Sequence, residues 1–268
     1  MQWKLFNKIL EEKCLFDQSK PVVIGVSGGP DSLCLLDLMR KTRIPIIVGH
    51  LNHGLRDVAA AEAEMVKKLC EDWQIPCYVK QVDVMENAKT FHYSIEEAGR
   101  IVRYRYLFAL AHEHGAQAVL VAHNSDDQVE TILMHLIRGT GLSGLRGMEH
   151  RQLPNEWSDT IPLVRPLLDV SKQEVLTYCE TNALSPSFDK TNQNMSYYRN
   201  RLRLELVPFL ESYNPAIKNR LVCMADVLRE EDEFLHQTTQ KSLKDILTAQ
   251  GEGYVVINRS ALVAAHLA

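Results

Sequence analysis

Short apolar runs rich in β-branched residues alternate along the chain with longer stretches in which apolar positions recur every three or four residues. "PVVIGVS" precedes a helical pattern over 31–41, and "PIIVGHLNH" precedes "DVAAAEAEMVKKLCEDW". "PCYVKQVDV" precedes a pattern over 94–114, and "AVLVAH" precedes one over 125–138. Short apolar runs bounded by turn residues read as strands, and the 3.6-residue period reads as helices. Their alternation predicts βαβ units: an α/β fold with a doubly wound, mostly parallel sheet and helices on both faces. Ligands of such sheets bind beyond the carboxyl ends of the strands. Residues 27–32, 51–56 and 123–127 fall there, after the first, second and fourth predicted strands.

Past the glycine-rich "GTGLSGLRG" the pattern predicts a strand over 160–168 and a short helix from Ser171 to about Thr181. From Pro215 a long, charged amphipathic helix is expected to about Gln250, followed by "GYVVI" and a new helix start at Asn258 or Ser260. Tyr213-Asn214-Pro215 marks the expected boundary between a first domain over 1–214 and a smaller, mainly helical one over 215–268.

Composition, 46% hydrophobic and 24% charged over 268 residues, is that of a soluble globular protein. No run approaches the ~18 apolar residues of a membrane span. The amphipathic opening "MQWKLFNKIL" is unlike a secretory signal, so the expected location is the cytoplasm. The six cysteines form no C-x-x-C pair, which argues against a zinc ribbon, an iron–sulfur cluster or a sulfur relay built on such a pair. Buried, reduced thiols are expected. A net charge of -4 gives no global basic surplus, so any nucleic-acid partner must be met by local patches.

The candidate chemistry begins at Ser27-Gly28-Gly29-Pro30-Asp31-Ser32, between a strand and a helix, where backbone N–H groups make an anion site. A Walker A loop would continue with Lys and Ser or Thr, and no Gly-Lys-Ser/Thr occurs in the chain. Asp31 would repel a polyphosphate unless a cation such as Mg²⁺ lay between them. The plain alternative is a helix start with an acid in its first turn. Asp126, Asp127 and Glu130 form a carboxylate stripe at another helix start, beside His123. Such a stripe suits a metal, an ammonium group or proton transfer from an amine; the alternative is again dipole complementarity. Glu96, Arg100 and Arg103 share a helix face, as a solvated ion-pair row would. His50 and His53 lack a third ligand for zinc, and Arg56 follows them. Arg199, Arg201 and Arg203 follow two tyrosines, a composition suited to RNA; on a helix the first and third share a face, on an extended segment all three do. Arg138, Arg146 and Arg151 flank the glycine-rich loop.

Taken together, residues 27–32 resemble the SGGxDS loop of the N-type ATP pyrophosphatases (PP-loop superfamily), which cleave ATP to AMP and pyrophosphate. "LNHGLR", "EEAGRIVRYRY", "AHNSDDQVET", "RGTGLSGLRGM", "RPLL" and "RNRLR" with "NP" look like the motifs of the bacterial tRNA(Ile)-lysidine synthetases, in the same order, from about residue 22 to 215. The resemblance implies a Rossmann-like catalytic domain, ATP as substrate with Mg²⁺, an isoleucine tRNA with a CAU anticodon, and free L-lysine. It implies adenylation of the wobble cytidine and displacement of AMP by the lysine ε-amine. Carried over by motif position, Ser27, Gly28, Gly29, Pro30, Asp31 and Ser32, with Asn52 and His53, would bind ATP, and Asp31 the Mg²⁺. Asp31, Asp127, His123 and Arg103 would be catalytic, and Asp127, Glu130 and Arg199 would bind lysine. Arg100, Arg138, Arg146, Arg199, Arg201 and Arg203 would face the tRNA. Two positions depart from the motifs: Asn124 replaces a frequent second histidine, so no role is assigned to it, and Gly99 stands where alanine is usual. The resemblance also implies a longer C-terminal domain than 215–268, whose last helix breaks off, and leaves the oligomeric state open, a homodimer included. The rival readings are a tRNA thiolase, which usually needs a cysteine pair near the site, and a nucleotide-binding module without turnover.

Overall fold

The computed structural model describes residues 3–52, 59–85, 93–187, 195 and 198–265. Its contacts divide the chain into two compact units, one of Met1–Gln128 with Met148–Glu205, the other of Val129–Gly147 with Leu206–Ala268.

In the first unit α1 (Trp3–Ile9) runs on into a wider π turn, Leu10–Cys14, and the chain then alternates strand and helix. The order is β1 (Val22–Gly25), α2 (Pro30–Arg40), β2 (Ile46–Asn52), α3 (Ala59–Asp72), β3 (Cys77–Gln81), α4 (Ile95–Glu113) and β4 (Val119–Leu120). Then come α5 (Ser125–Arg138), which continues into the second unit, α6 (Leu142–Leu145), β5 (Arg151–Gln152), β6 (Leu163–Val164), α7 (Lys172–Thr181) and α8 (Tyr198–Arg201). Among the described residues the sheet order is β3-β2-β1-β4-β6-β5, parallel throughout except for β5 against β6. The expected parallel sheet is therefore present, with one antiparallel edge.

Successive residues of a strand point to opposite faces, and both faces of the central strands β1, β2 and β4 are covered, whereas the edge strand β3 is largely exposed. Val22 and Ile24 of β1, Val48 of β2 and Leu120 of β4 pack with α1, α2, α3 and α7 through Phe6, Leu35, Val66 and Val175. Val23, Ile47 and Val119, one residue out of phase, pack under α4 against Tyr104, Leu107 and Phe108. Register pairs Ile24 with Val48 and Leu120 in the same row. Because β1 lies between β2 and β4, the chain changes direction across the sheet there, opening a crevice at the strands' carboxyl ends.

The second unit is mainly helical: α9 (Val207–Tyr213), α10 (Ile217–Ile246), the hairpin β7 (Leu247–Gly251) with β8 (Tyr254–Ile257), and α11 (Arg259–Ala264). Val129 and Leu133 pack there with Val207, Leu210 and Leu221. Arg146 pairs with Asp232 at 3.1 Å, and Ser143 donates to the same carboxylate at 2.9 Å. Among the described residues no helix is long and apolar enough to cross a membrane.

Candidate active site

The loop after β1 is shaped by its glycines. Gly28 has φ of +89°, and a Cβ on it would stand 3.1 Å from Met65 Cε, so a side chain would meet both backbone strain and a packed neighbour. Gly29 is the extended N-cap of α2, and its carbonyl accepts the first helical bond, from Leu33 N–H at 3.1 Å. Pro30 opens the helix, where a missing N–H costs nothing. Ser32 Oγ donates to Gly29 O at 2.9 Å and accepts from Ser27 N–H at 3.2 Å, closing the loop on itself. The first-turn amides of α2 have no acceptor within the helix and carry its positive dipole end, the chemistry of a backbone anion cradle.

A cavity of about 210 Å³ lies at the crevice between β1 and β4, lined among others by Gly25, Ser27, Asp31, Arg103, His123 and Asp127. Asp31 accepts from Asn124 Nδ2 at 2.9 Å on one oxygen and from Lys172 Nζ at 2.5 Å on the other. Asn124 is itself the cap of α5. Its Oδ1 accepts the N–H groups of Asp126 and Asp127 at 2.9 and 3.1 Å, and Asp127 Oδ2 accepts Asn124 N–H at 3.0 Å, a reciprocal capping box. Asp127 is thereby held facing the cavity. Burial pushes its carboxyl above the usual carboxylate range, against the Asn124 N–H and the charges of Arg199 and Arg203, which lower it. Arg203 Nη2 lies 3.6 Å from Asp127 Oδ1. Asp126 is used otherwise: its Oδ2 accepts the backbone N–H of Lys172 at 2.7 Å, tying the start of α7 to the start of α5.

His123 is surrounded by cations. Burial, then the charges of Arg165, Arg199, Arg103 and Arg100, hold it well below the usual histidine value, so the imidazole is neutral. Arg165, buried, donates from Nε to His123 Nδ1 at 3.3 Å, from Nη1 to Glu149 O at 2.9 Å and from Nη2 to Gln152 Oε1 at 3.1 Å. With Nδ1 accepting, the ring proton resides on Nε2.

The expected residues are thus only partly brought together. Ser27, Asp31, Ser32, Arg103, His123 and Asp127 line one cavity. Arg203 and Arg199 act on Asp127, whereas Arg201 pairs with Glu205 at 3.6 Å on an exposed face, the helical arrangement of the two alternatives. Arg100 is engaged elsewhere, with Glu97 at 3.4 Å and Glu156 at 3.1 Å, its guanidinium over the rings of Tyr104 and Trp157. Glu130 is buried but grouped by its contacts with the second unit, as are the exposed Arg138 and the half-buried Arg146. Asn52 ends β2, its carbonyl accepting Val82 N–H at 3.0 Å. His50 is buried with Nδ1 2.8 Å from Val26 O, while His53, Arg56 and the side chain of Glu96 lie outside the described residues.

Three site residues carried no role in the sequence: Asn124, Lys172 and Arg165. Among the described residues no group of three or more His, Cys, Asp or Glu is arranged to hold a metal. The cavity offers Asp31, Asp127 and two serine hydroxyls, oxygen donors that fit Mg²⁺ shared with phosphate oxygens, and no cysteine is among its lining residues.

Residues 2–210 match the PP-loop domain family. Over 98% of its length the chain is 33% identical to the tRNA(Ile)-lysidine synthase of Clostridioides difficile, covering 57% of that protein. It is 35% identical over 93% of its length to the bifunctional protein TilS/HprT of Listeria monocytogenes, covering 38% of it. The chain therefore spans about half the length, or less, of these curated relatives. Among solved structures, the U34-tRNA thiolase NcsA from Methanococcus maripaludis, with its [4Fe-4S] cluster, superposes with a TM-score of 0.68 at 20% identity, over 85% of this chain and 78% of that one. NMN synthetase from Francisella tularensis gives 0.52 at 16% identity, over 85% and 96%. Both likenesses concern the fold. With its glycine loop, acid-lined crevice and parallel sheet matched over residues 2–210, the chain belongs to the PP-loop domain family.

Proposed function

We propose that this chain is the catalytic part of a tRNA(Ile)-lysidine synthase, acting in the cytoplasm on an isoleucine tRNA with a CAU anticodon, with ATP and free L-lysine as co-substrates. The observation that carries the reading is the pairing, in one cavity, of a backbone anion cradle with two differently held acids, Asp31 and Asp127. Relatives bearing that name match over most of the chain.

In the first step the C2 oxygen of the wobble cytidine attacks the α-phosphorus of ATP, the bond to the β-phosphate breaks, and pyrophosphate leaves. Residues 27–32 hold the departing phosphates, and Asn52 and His53 are assigned to the nucleotide as well. Asp31 would hold Mg²⁺, which would supply neutralisation of the phosphate charge. Arg103 and the Nε2–H of neutral His123 face the charge that develops on the adenylated base. In the second step the lysine ε-nitrogen attacks C2, the C2–O bond breaks, and AMP leaves with the bonding electrons. An amine of reference pKa ~10.4 must lose a proton to attack. Asp127, raised by burial, is the acceptor, since a base works best with a pKa nearer the operating pH. Asp127, Glu130 and Arg199 select the lysine; Arg100, Arg138, Arg146, Arg199, Arg201 and Arg203 meet the tRNA. Residues 1–214 are assigned to the catalytic domain and 215–268 to a second, mainly helical one.

A thiolase reaction is disfavoured by the thiols beside the loop. Cys34 and Cys179 are buried, and burial pushes Cys179 up to about 11 and Cys34 further, so neither supplies the thiolate that sulfur transfer needs.

The test is mass-spectrometric nucleoside analysis of unmodified CAU-anticodon isoleucine tRNA after incubation with Mg·ATP and isotopically labelled lysine. Label in the wobble nucleoside, lost in Asp31→Ala and Asp127→Ala, is expected. Pyrophosphate without label would replace lysine by another second substrate, and neither product would reduce the chain to a binding module.

A further inference from the structure

Residue 187 lies just past α7 and touches the glycine loop from outside. Ser187 N–H donates to Gly28 O at 3.0 Å, and Ser187 Oγ donates to Glu62 Oε1, on α3, at 2.7 Å. A trans peptide is planar, so a carbonyl and the N–H that follows it point in opposite directions. Holding Gly28 O toward Ser187 therefore turns the Gly29 N–H the other way. There it makes only a long bond, 3.4 Å, to Ser27 Oγ, leaving it available to an incoming oxygen anion. The Gly28–Gly29 peptide is also the joint of the loop with most rotational freedom, since Gly28 carries no Cβ and sits at φ +89°. An orientation needed for binding is thus controlled by a contact external to the loop. The same helix α3 touches the loop a second time, through Met65 beneath Gly28.

We infer that Ser187 and Glu62 form a latch that fixes the Gly28–Gly29 peptide with its amide toward the phosphates, making both of them positioning residues for nucleotide binding. The inference rests on the ATP site of the proposed function but not on its tRNA or lysine substrates. Both reach the loop from the side of Gly28 O, opposite the Gly29 N–H, and neither is among the residues lining the cavity. Glu62 serves as an acceptor for a hydroxyl, a task that a glutamine oxygen performs equally well.

The test is calorimetric titration of the whole chain with Mg·ATP, alongside thermal melts, for Glu62→Ala, Glu62→Gln, Ser187→Ala and the double alanine variant. Each alanine variant is expected to weaken binding on the order of tenfold, equivalent to ~1.4 kcal/mol. Glu62→Gln should stay within about twofold of the parent, because the accepted hydrogen bond survives. The double variant should bind no worse than the singles, as members of one contact do. A purely structural role would lower the melting temperature and leave the affinity of the folded fraction unchanged, which would overturn the inference. So would parent-like binding by either alanine variant, or a glutamine variant as weak as the alanine one. Parent protein that binds Mg·ATP but makes no lysidine would sink the functional reading while leaving the latch testable; failure to bind Mg·ATP at all would remove both.

Discussion

Replacing Asp127 by asparagine separates its two tasks. The amide keeps an oxygen where Asp127 Oδ2 accepts Asn124 N–H at 3.0 Å, so the capping box of α5 persists with a neutral acceptor. A whole cap is worth ~1 kcal/mol, and weakening one of its bonds costs a fraction of that. The partner at 3.6 Å, Arg203, is 42% exposed, which limits the lost ion pair to under ~1 kcal/mol. Against both stands the burial that raises the Asp127 pKa. A carboxyl whose folded-state pKa lies above its unfolded value of 3.8 favours the native state most below that value, and loses that contribution as pH rises through the folded pKa. At neutral pH the ionised group is therefore a burden that the asparagine removes. Asp127→Asn should match the parent to within ~1 kcal/mol in urea unfolding at pH 7, and compare less favourably below pH 3.8. Catalysis should respond very differently: losing a positioned base lowers the rate of lysine transfer by ~10²–10⁴-fold. Pyrophosphate release in the first step should persist, so that adenylated tRNA accumulates when labelled lysine is supplied. Loss of both steps in parallel, or lysine transfer within about tenfold of the parent, would refute Asp127 as the base.

Gly28→Ala should cost ~1–2 kcal/mol from left-handed backbone alone and weaken Mg·ATP binding; an alanine variant as stable as the parent in urea would contradict the φ of +89°. Asn124→Ala removes two capping bonds and the amide on Asp31, so a loss of ~1–2 kcal/mol is expected together with lower pyrophosphate release, measured on the same preparation. Burial raises the Asp169 pKa, but the hydrogen bonds and charges of His150 and Lys13 outweigh it and hold the carboxyl well below its usual 3.8. That stability is present above pH 3.8 and lost as pH falls below it, so Asp169→Asn should flatten the acid limb of a urea-midpoint profile; an unchanged limb would place the acid sensitivity elsewhere.

Local patterns were legible wherever one element decides them. The helix expected over 94–114 is α4, Ile95–Glu113, started by Ser94 accepting from Glu97 N–H. The helix expected from Ser171 begins there with a full capping box to Glu174. Less legible was the strand expected over 160–168, reduced to Leu163–Val164 because Arg165 turns inward to His123, Glu149 and Gln152. Lys172 escaped notice because its partner Asp31 is 141 residues away, and nothing local marks a surface-type lysine as a site residue. Asn124 was passed over as a departure from a motif, although its spacing to Asp127 is that of a capping box. The grouping of Val129–Gly147 with Leu206–Ala268 is equally remote from any linear reading, being decided by packing of Val129 and Leu133 on Val207.

Leu107 of α4 reaches into the gap left by two glycines on neighbouring strands. A Cβ on Gly25 would come within 2.8 Å of its side chain, and one on Gly49 within 2.6 Å. All three residues also line the cavity. The ceiling height of the cavity is accordingly a by-product of how deeply one leucine seats itself over two bare positions, one at the end of β1 and one midway along β2. A side chain at either glycine would force the Leu107 methyls to give way, and Arg103, one turn away on the same helix, lines the same cavity. Architecture and chemistry share a hinge pin here, so this stretch of hydrophobic interior is barred from the free repacking that cores ordinarily tolerate.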